Sequence, residues 1–202
     1  MKKRLVVLIS NAGRGTNLQA IIDSIQEKKM VAEIISVVSD QTDAYGLRRA
    51  KKAGVPTVVI SKAQELLPCL LRLKPDYICL AGWKQMIMDN VIDTYDNKII
   101  NIHPGLIPDT PEETVRCPDG SKGLWNQHKM TDKAIQNFFD HKATYAGSSV
   151  HFMTPAFDFG PVLGRCFEKI RPSDTVETLY TRLKKKENNL YVSSLIKLCS
   201  EN

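Results

Sequence analysis

Asn101 and His103 are the residues whose types and spacing could do chemistry: an amide and an imidazole two positions apart. They follow Lys98-Ile99-Ile100, an apolar run that reads as the end of a buried strand. In extended backbone, side chains two apart leave the same face, so both can address one reacting group. Pro104 disfavours the α region for His103 and holds it extended where the strand becomes a loop. The amide can donate to a developing oxyanion, and the imidazole can carry a proton or a positive charge. The plainer alternative is a strand-end histidine bonded to a backbone carbonyl.

A second stretch suited to chemistry is Asn11-Ala12-Gly13-Arg14-Gly15-Thr16-Asn17. Glycines let backbone approach a ligand closely, and the free N–H groups at a helix start suit an anion. No Gly-Lys-Ser/Thr follows, so this is not a P-loop. Leu18 stands where a dinucleotide fingerprint needs glycine, although Asp40 ends the second strand about where a ribose-binding acid would stand. A single phosphate monoester fits better, with Thr16 and Asn17 adding side-chain donors. A plain strand-to-helix turn is the alternative.

The elements that must position these residues follow from periodicity. Strands are expected at Leu5–Ser10, Glu33–Ser39, Val55–Ile60, Tyr77–Ala81 and Ile99–Ile102. Helices are expected at Asn17–Lys28, Ala44–Ala53, Lys62–Leu73 and Met86–Tyr95. This alternation implies βαβ units: an α/β, Rossmann-like fold with a mostly parallel sheet and helices on both faces. From Pro104 to Lys122 the pattern stops, with Pro104, Pro108, Pro111 and Pro118 marking a long loop. The apolar spacing then predicts a helix over Gly123–Phe139, a mixed C-terminal hairpin from Ala146–Thr154 and Pro161–Ile170, and a final helix from Ser173-Asp174-Thr175 to Leu198. One domain over 1–202 is expected, with 1–103 as a nucleotide-phosphate half and 104–202 as loop, hairpin and last helix.

Composition narrows the class. Five scattered cysteines, an odd number without a C-x-x-C pair, argue against a disulfide framework or a structural zinc site and for a reducing, cytoplasmic compartment. No stretch approaches the length of a membrane span, and the apolar run after Met1-Lys2-Lys3-Arg4 is too short for a secretory signal. The net charge of +6 favours anionic ligands. The basic runs Lys51-Lys52 and Lys184-Lys185-Lys186 lack interleaved aromatics, so no nucleic-acid partner is expected.

Three stretches taken together are more specific than any one. The set Gly13-Arg14-Gly15-Thr16-Asn17-Leu18-Gln19-Ala20, Asn101-Ile102-His103-Pro104 and Asp158-Phe159-Gly160-Pro161-Val162 closely resembles phosphoribosylglycinamide formyltransferase. Ala44-Tyr45-Gly46-Leu47, Leu80-Ala81-Gly82-Trp83, Gly147-Ser148-Ser149-Val150-His151-Phe152 and Glu187-Asn188-Asn189-Leu190-Tyr191 support the resemblance, which runs from about Leu5 to Leu198. It implies the formyltransferase fold and formyl transfer from 10-formyltetrahydrofolate, as co-substrate and without a metal, to the amine of glycinamide ribonucleotide. It implies Asn101, His103 and Asp158 as the catalytic set. Gly15, Thr16, Asn17, Lys184 and Glu187 would meet the ribonucleotide. Folate would meet Lys84, Gln85, Met86, Ile87, Asn101, Thr154, Pro155, Ala156, Phe157 and Asp158. Only small molecules are implied as partners, with no membrane, for a monomer or homodimer.

The sequence also departs from that family. Lys84-Gln85 stand where Met-Arg is usual, Asn188 where histidine is usual, and Gly105 where serine is commoner; Asp109–Lys122 is an insertion in the family's mobile loop. The alternatives are a formyltransferase for another amine such as an amino sugar nucleotide, a formyltetrahydrofolate hydrolase, and a non-catalytic nucleotide-binding relative.

Overall fold

A computed structural model of the chain describes residues 1–11 and 13–200. Its seven-stranded sheet has the order β3-β2-β1-β4-β5-β6-β7, from β1 (Lys3–Ile9), β2 (Ala32–Ser39), β3 (Thr57–Val59), β4 (Tyr77–Leu80), β5 (Ile99–His103), β6 (Tyr145–Phe152) and β7 (Val162–Lys169). The pairings β2·β3, β1·β2, β1·β4 and β4·β5 are parallel, whereas β6·β7 is antiparallel. The expected mostly parallel sheet with a mixed C-terminal hairpin is therefore present. Contacts divide the chain into two compact units, Met1–Asn101 with Val192–Asn202, and Ile102–Tyr191.

In the first unit, Leu5 to Ile9 are buried without alternation, as a parallel strand covered on both faces requires. Helix α1 (Thr16–Gln26) buries Leu18, Ile21 and Ile22, spaced to one face, against that core. Helix α2 (Tyr45–Lys52) approaches closely at Gly46, where a Cβ would stand 2.6 Å from the Ile9 side chain. Helix α3 (Leu66–Leu73) is preceded by a 3-10 turn at Ala63–Glu65. The expected helix over Met86–Tyr95 is shorter: α4 spans Asp89–Thr94. The Lys84 N–H is spent on the Ser10 hydroxyl and Met88 is extended, so the chain cannot coil until Asp89.

In the second unit, helices α5 (Thr131–Asp140) and α6 (Val176–Ser200) join the hairpin through Ile135, Phe138, Ala146, Leu179 and Leu183. The Arg182 guanidinium holds Glu168 of β7 and Asp174 before α6. Lys186 also reaches Glu168 and the Phe167 carbonyl. The long loop after β5 folds back on itself: Arg116 and Lys122 form an isolated bridge, Gly120 turns with φ 81°, and Arg165 donates to the Ile107 carbonyl and to Asp109.

The expected helix over Gly123–Phe139 is corrected by the structure: α5 begins at Thr131. Gly123 N–H bonds the Val115 carbonyl, and Asn126 and His128 take left-handed conformations. That backbone cannot continue a right-handed helix. The apolar spacing of Leu124 and Met130 with the residues of α5 suggested one helix, but the segment 123–130 has other partners. Among the described residues, no helix is long and apolar enough to cross a membrane.

Candidate active site

His103 ends β5, two residues beyond Asn101 on the same strand, and is 2% exposed. Its Nε2 lies 2.7 Å from the Trp125 carbonyl oxygen. A carbonyl only accepts, so Nε2 carries the proton of that bond. Nδ1 faces Asp158 Oδ1 at 3.4 Å. The ring therefore bonds a backbone carbonyl on one side and faces the Asp158 carboxylate on the other.

Asp158 sits in the turn between β6 and β7 with φ 50°, an uncommon conformation for a residue with a side chain. Thr154 Oγ1 donates to the Phe159 carbonyl at 2.9 Å across this turn. Gly160 is required beside it, because a Cβ there would stand 2.2 Å from the Phe152 carbonyl oxygen. The Trp125 indole N–H donates to the Asp158 carbonyl and the His128 N–H to Asp158 Oδ2, each at 2.8 Å. Burial pushes the Asp158 carboxyl up, but the hydrogen bond and charge of His103 and the His128 N–H outweigh it and hold it below the usual range. The carboxylate is the more accessible end of the pair, 16% exposed against 2% for the His103 side chain.

His151, on β6, completes the electrostatics. Burial, and then the neighbouring charge of His103, bring its ring down to about 4. It is therefore neutral at neutral pH, and Nδ1 lies 2.9 Å from the Phe152 carbonyl oxygen. One histidine of the site is kept uncharged while the other faces a carboxylate.

The remaining expected residues fall into local groups. Thr154, Pro155, Ala156 and Phe157 lead into the Asp158 turn, with Phe157 exposed and stacked on His128 at 4.9 Å. Glu187 on α6 is 3% exposed, accepting from Ser148 Oγ at 2.6 Å and pairing with Lys184 Nζ at 3.0 Å. Each carboxylate oxygen keeps a further lone pair for a hydroxyl. Burial pulls the Lys184 ammonium down, but the Glu187 carboxylate and Tyr180 raise it above its ordinary value.

In the first unit, Gly15 caps α1 in a left-handed conformation with φ 64° and opens the helix at Thr16 and Asn17. Ala12 of the expected loop lies outside the described residues. Asn17 is 5% exposed, and its buried Oδ1 has no partner among the described residues. Lys84, Gln85, Met86 and Ile87 follow the Gly82 turn, whose carbonyl accepts from the Ser10 N–H at 3.2 Å; Met86 projects outward and Ile87 is buried.

Sequence reasoning missed Trp125, Asn126, His128, His151 and Arg49. Arg49 brings a guanidinium to the glycine loop, donating to the Arg14 carbonyl and to Gln19, each at 2.7 Å. His151 was visible within the quoted motif Ser148-Ser149-Val150-His151 but carried no assigned role. Residues 125–128 gave no local signal, because their partners lie far away in the chain.

The whole chain is similar to known proteins. A family model described as formyl transferase matches residues 3–195. The phosphoribosylglycinamide formyltransferase of Escherichia coli is 32% identical over 196 residues, covering 93% of this chain and 82% of that protein. The trifunctional purine biosynthetic protein adenosine-3 of Bos taurus is 32% identical over 203 residues, covering 96% of this chain. The chain spans only 18% of the length of that multifunctional relative. Among solved structures, glycinamide ribonucleotide transformylase 1 of Geobacillus kaustophilus superposes with a TM-score of 0.81 at 30% identity, covering 99% of this chain and 100% of that one.

Proposed function

The chain belongs to the formyl transferase family, and from that premise we propose that it transfers the formyl group of 10-formyltetrahydrofolate to the amine of 5-phosphoribosylglycinamide, a step of purine biosynthesis. The observation that carries this reading is the buried His103–Asp158 pair, with Asn101 two residues before His103 on β5.

The chemistry asks for what these residues offer. The amine nitrogen attacks the formyl carbon, and the carbonyl electrons move onto oxygen. Asn101 donates to that oxyanion, and His103 stabilises it as an imidazolium. Asp158 holds His103 charged and steers a water that relays the proton leaving the amine. Collapse breaks the bond to the folate nitrogen, which takes a proton back along the same route. One oxyanion donor typically contributes about 10²–10³-fold and general acid–base catalysis about 10²–10⁴-fold. Alignment of two substrates contributes roughly 7–11 kcal/mol, so the binding residues matter as much as the catalytic set.

For those residues, the reading assigns the ribonucleotide phosphate to Gly15, Thr16 and Asn17, where a left-handed cap opens an 11-residue helix. Lys184 and Glu187 take the ribose hydroxyls. The folate head is assigned to Lys84–Ile87 and Thr154–Asp158.

The test is an absorbance assay of folate release with glycinamide ribonucleotide, with an amino sugar nucleotide, or with no amine. Release that depends on the ribonucleotide is the expected outcome. Release without amine would make the protein a hydrolase, and release only with the sugar nucleotide would move it to another acceptor.

A further inference from the structure

The segment Trp125-Asn126-Gln127-His128 joins neither helix nor strand, yet it makes an unusual set of contacts. The Trp125 carbonyl accepts from His103 Nε2–H at 2.7 Å, and the Trp125 indole donates to the Asp158 carbonyl at 2.8 Å. Asn126 Nδ2 donates to the Pro104 carbonyl at 2.9 Å and to the Ala134 carbonyl at 3.2 Å, while its Oδ1 accepts from Asn137 at 2.8 Å. Gln127 Nε2 donates to the Phe157 carbonyl at 3.0 Å, and the His128 N–H fills Asp158 Oδ2. Two of these residues, Asn126 and His128, are left-handed, with φ 59° and 63°. A backbone so unfavourable for side-chain-bearing residues is held by contacts on every side.

We infer that this segment is a clasp on the His103–Asp158 pair, and that Trp125 is a positioning residue that keeps His103 doubly protonated. The inference rests on the formyl-transfer reading for its catalytic meaning, and on hydrogen-bond chemistry for its content. A carbonyl on one ring nitrogen and a carboxylate on the other are both acceptors. A neutral ring has one N–H and would turn a bare nitrogen toward one of them. The imidazolium satisfies both. The His128 N–H occupies Oδ2, which leaves Oδ1 for His103, and the indole bond fixes the backbone from which that carboxylate projects.

Gly105 is what permits the clasp. A Cβ at position 105 would stand 1.8 Å from the Trp125 carbonyl oxygen, 2.6 Å from its carbon and 2.9 Å from His103 Nε2. The first two atoms are backbone, so the segment itself would have to leave. Any side chain at position 105 is incompatible with this arrangement.

The experiment uses the full chain with nitrogen-15 histidine, without substrates, at neutral pH. The wild-type His103 ring is expected to show two protonated nitrogens. In Gly105→Ala the Trp125 carbonyl is displaced and the ring is expected to show one protonated and one bare nitrogen, with kcat lowered about 10²-fold and KM for the ribonucleotide within about twofold. Should that variant fail to fold, Asn126→Ala, which removes the anchor to Pro104 and α5, is read in the same way. A wild-type ring with a bare nitrogen, or an unchanged doubly protonated ring in the variant, overturns the clasp. Because the spectrum needs no substrate, failure of the formyl-transfer reading leaves this result standing.

Discussion

The glycine loop of the first unit and the His103–Asp158 pair of the second are both proposed to serve the reaction, but they are assembled in opposite ways. Gly15, Thr16 and Asn17 are consecutive, and their conformation follows from a single left-handed glycine at the start of α1. One polar group there is unspent: Asn17 Oδ1 is buried without a partner among the described residues. His103, Trp125, His128 and Asp158 come from three separate parts of the chain, and four polar contacts join them to one another. The contrast is between a loop that keeps a buried acceptor uncommitted among the described residues and a pair whose ring nitrogens and carboxylate oxygens are spent within its own unit. Removing a group from the second should therefore cost chemistry, and removing one from the first should cost binding.

The largest break in that contrast is Asp158→Asn. Turnover is expected to fall on the order of 10³–10⁴-fold, the upper range for a lost acid–base group, while ribonucleotide affinity stays within about twofold. Steady-state kinetics with calorimetric binding separates the two, and near-normal turnover would remove Asp158 from the mechanism.

Next is a pH effect on stability carried by His151. Its ring is at about 4 in the folded chain against an ordinary 6.5. Between those values the unfolded chain binds a proton that the folded chain refuses, so stability is lost as pH falls from about 6.5 to about 4, by roughly 3 kcal/mol. Asp158, held below its usual range, adds loss of the same sign at lower pH. Denaturant unfolding from neutral to acidic pH should show this fall, and His151→Gln should flatten its upper part. An unchanged slope would mean that His151 is protonated in the folded state.

A smaller effect is expected at the loop. Asn17→Ala should weaken ribonucleotide binding about tenfold, the loss of one hydrogen bond to a charged group, and leave kcat at saturation nearly unchanged. Unaltered affinity would place the phosphate elsewhere. Smallest is Trp125→Phe, which keeps the backbone carbonyl on His103 and loses only the indole donor to the Asp158 carbonyl. A fall in kcat of about fivefold, one neutral hydrogen bond, with unchanged ribonucleotide affinity, is expected. A loss as large as that of Asp158→Asn would make the indole itself central.

Much of this was legible in the chain. The run Leu5–Ile9 buries as an uninterrupted apolar strand, β5 places Asn101 and His103 two apart, and Gly15 turns into a helix at Thr16. These depend on short-range sterics and on periods of two and 3.6 residues, which are written in order along the sequence. The helix expected from Gly123 fails for the opposite reason. Its apolar spacing is real, but the hydrogen bonds of residues 123–128 go to Val115, His103, Pro104, Phe157 and Asp158. Likewise, Glu187 was expected near a ribose, and its existing partners Ser148 and Lys184 became visible only in the folded chain.

By itself, then, the sequence determined the alternation of strands and helices, the family to which the chain belongs, and which side chains are chemically equipped to act. Tertiary structure decided how His103 is held: by a carbonyl 22 residues away on one side and a carboxylate at position 158 on the other. Neither partner leaves a periodic trace, because a hydrogen bond between distant segments depends on where the backbone arrives in space. That arrival depends on the missing Cβ of Gly105 and the left-handed turns at Asn126, His128 and Asp158.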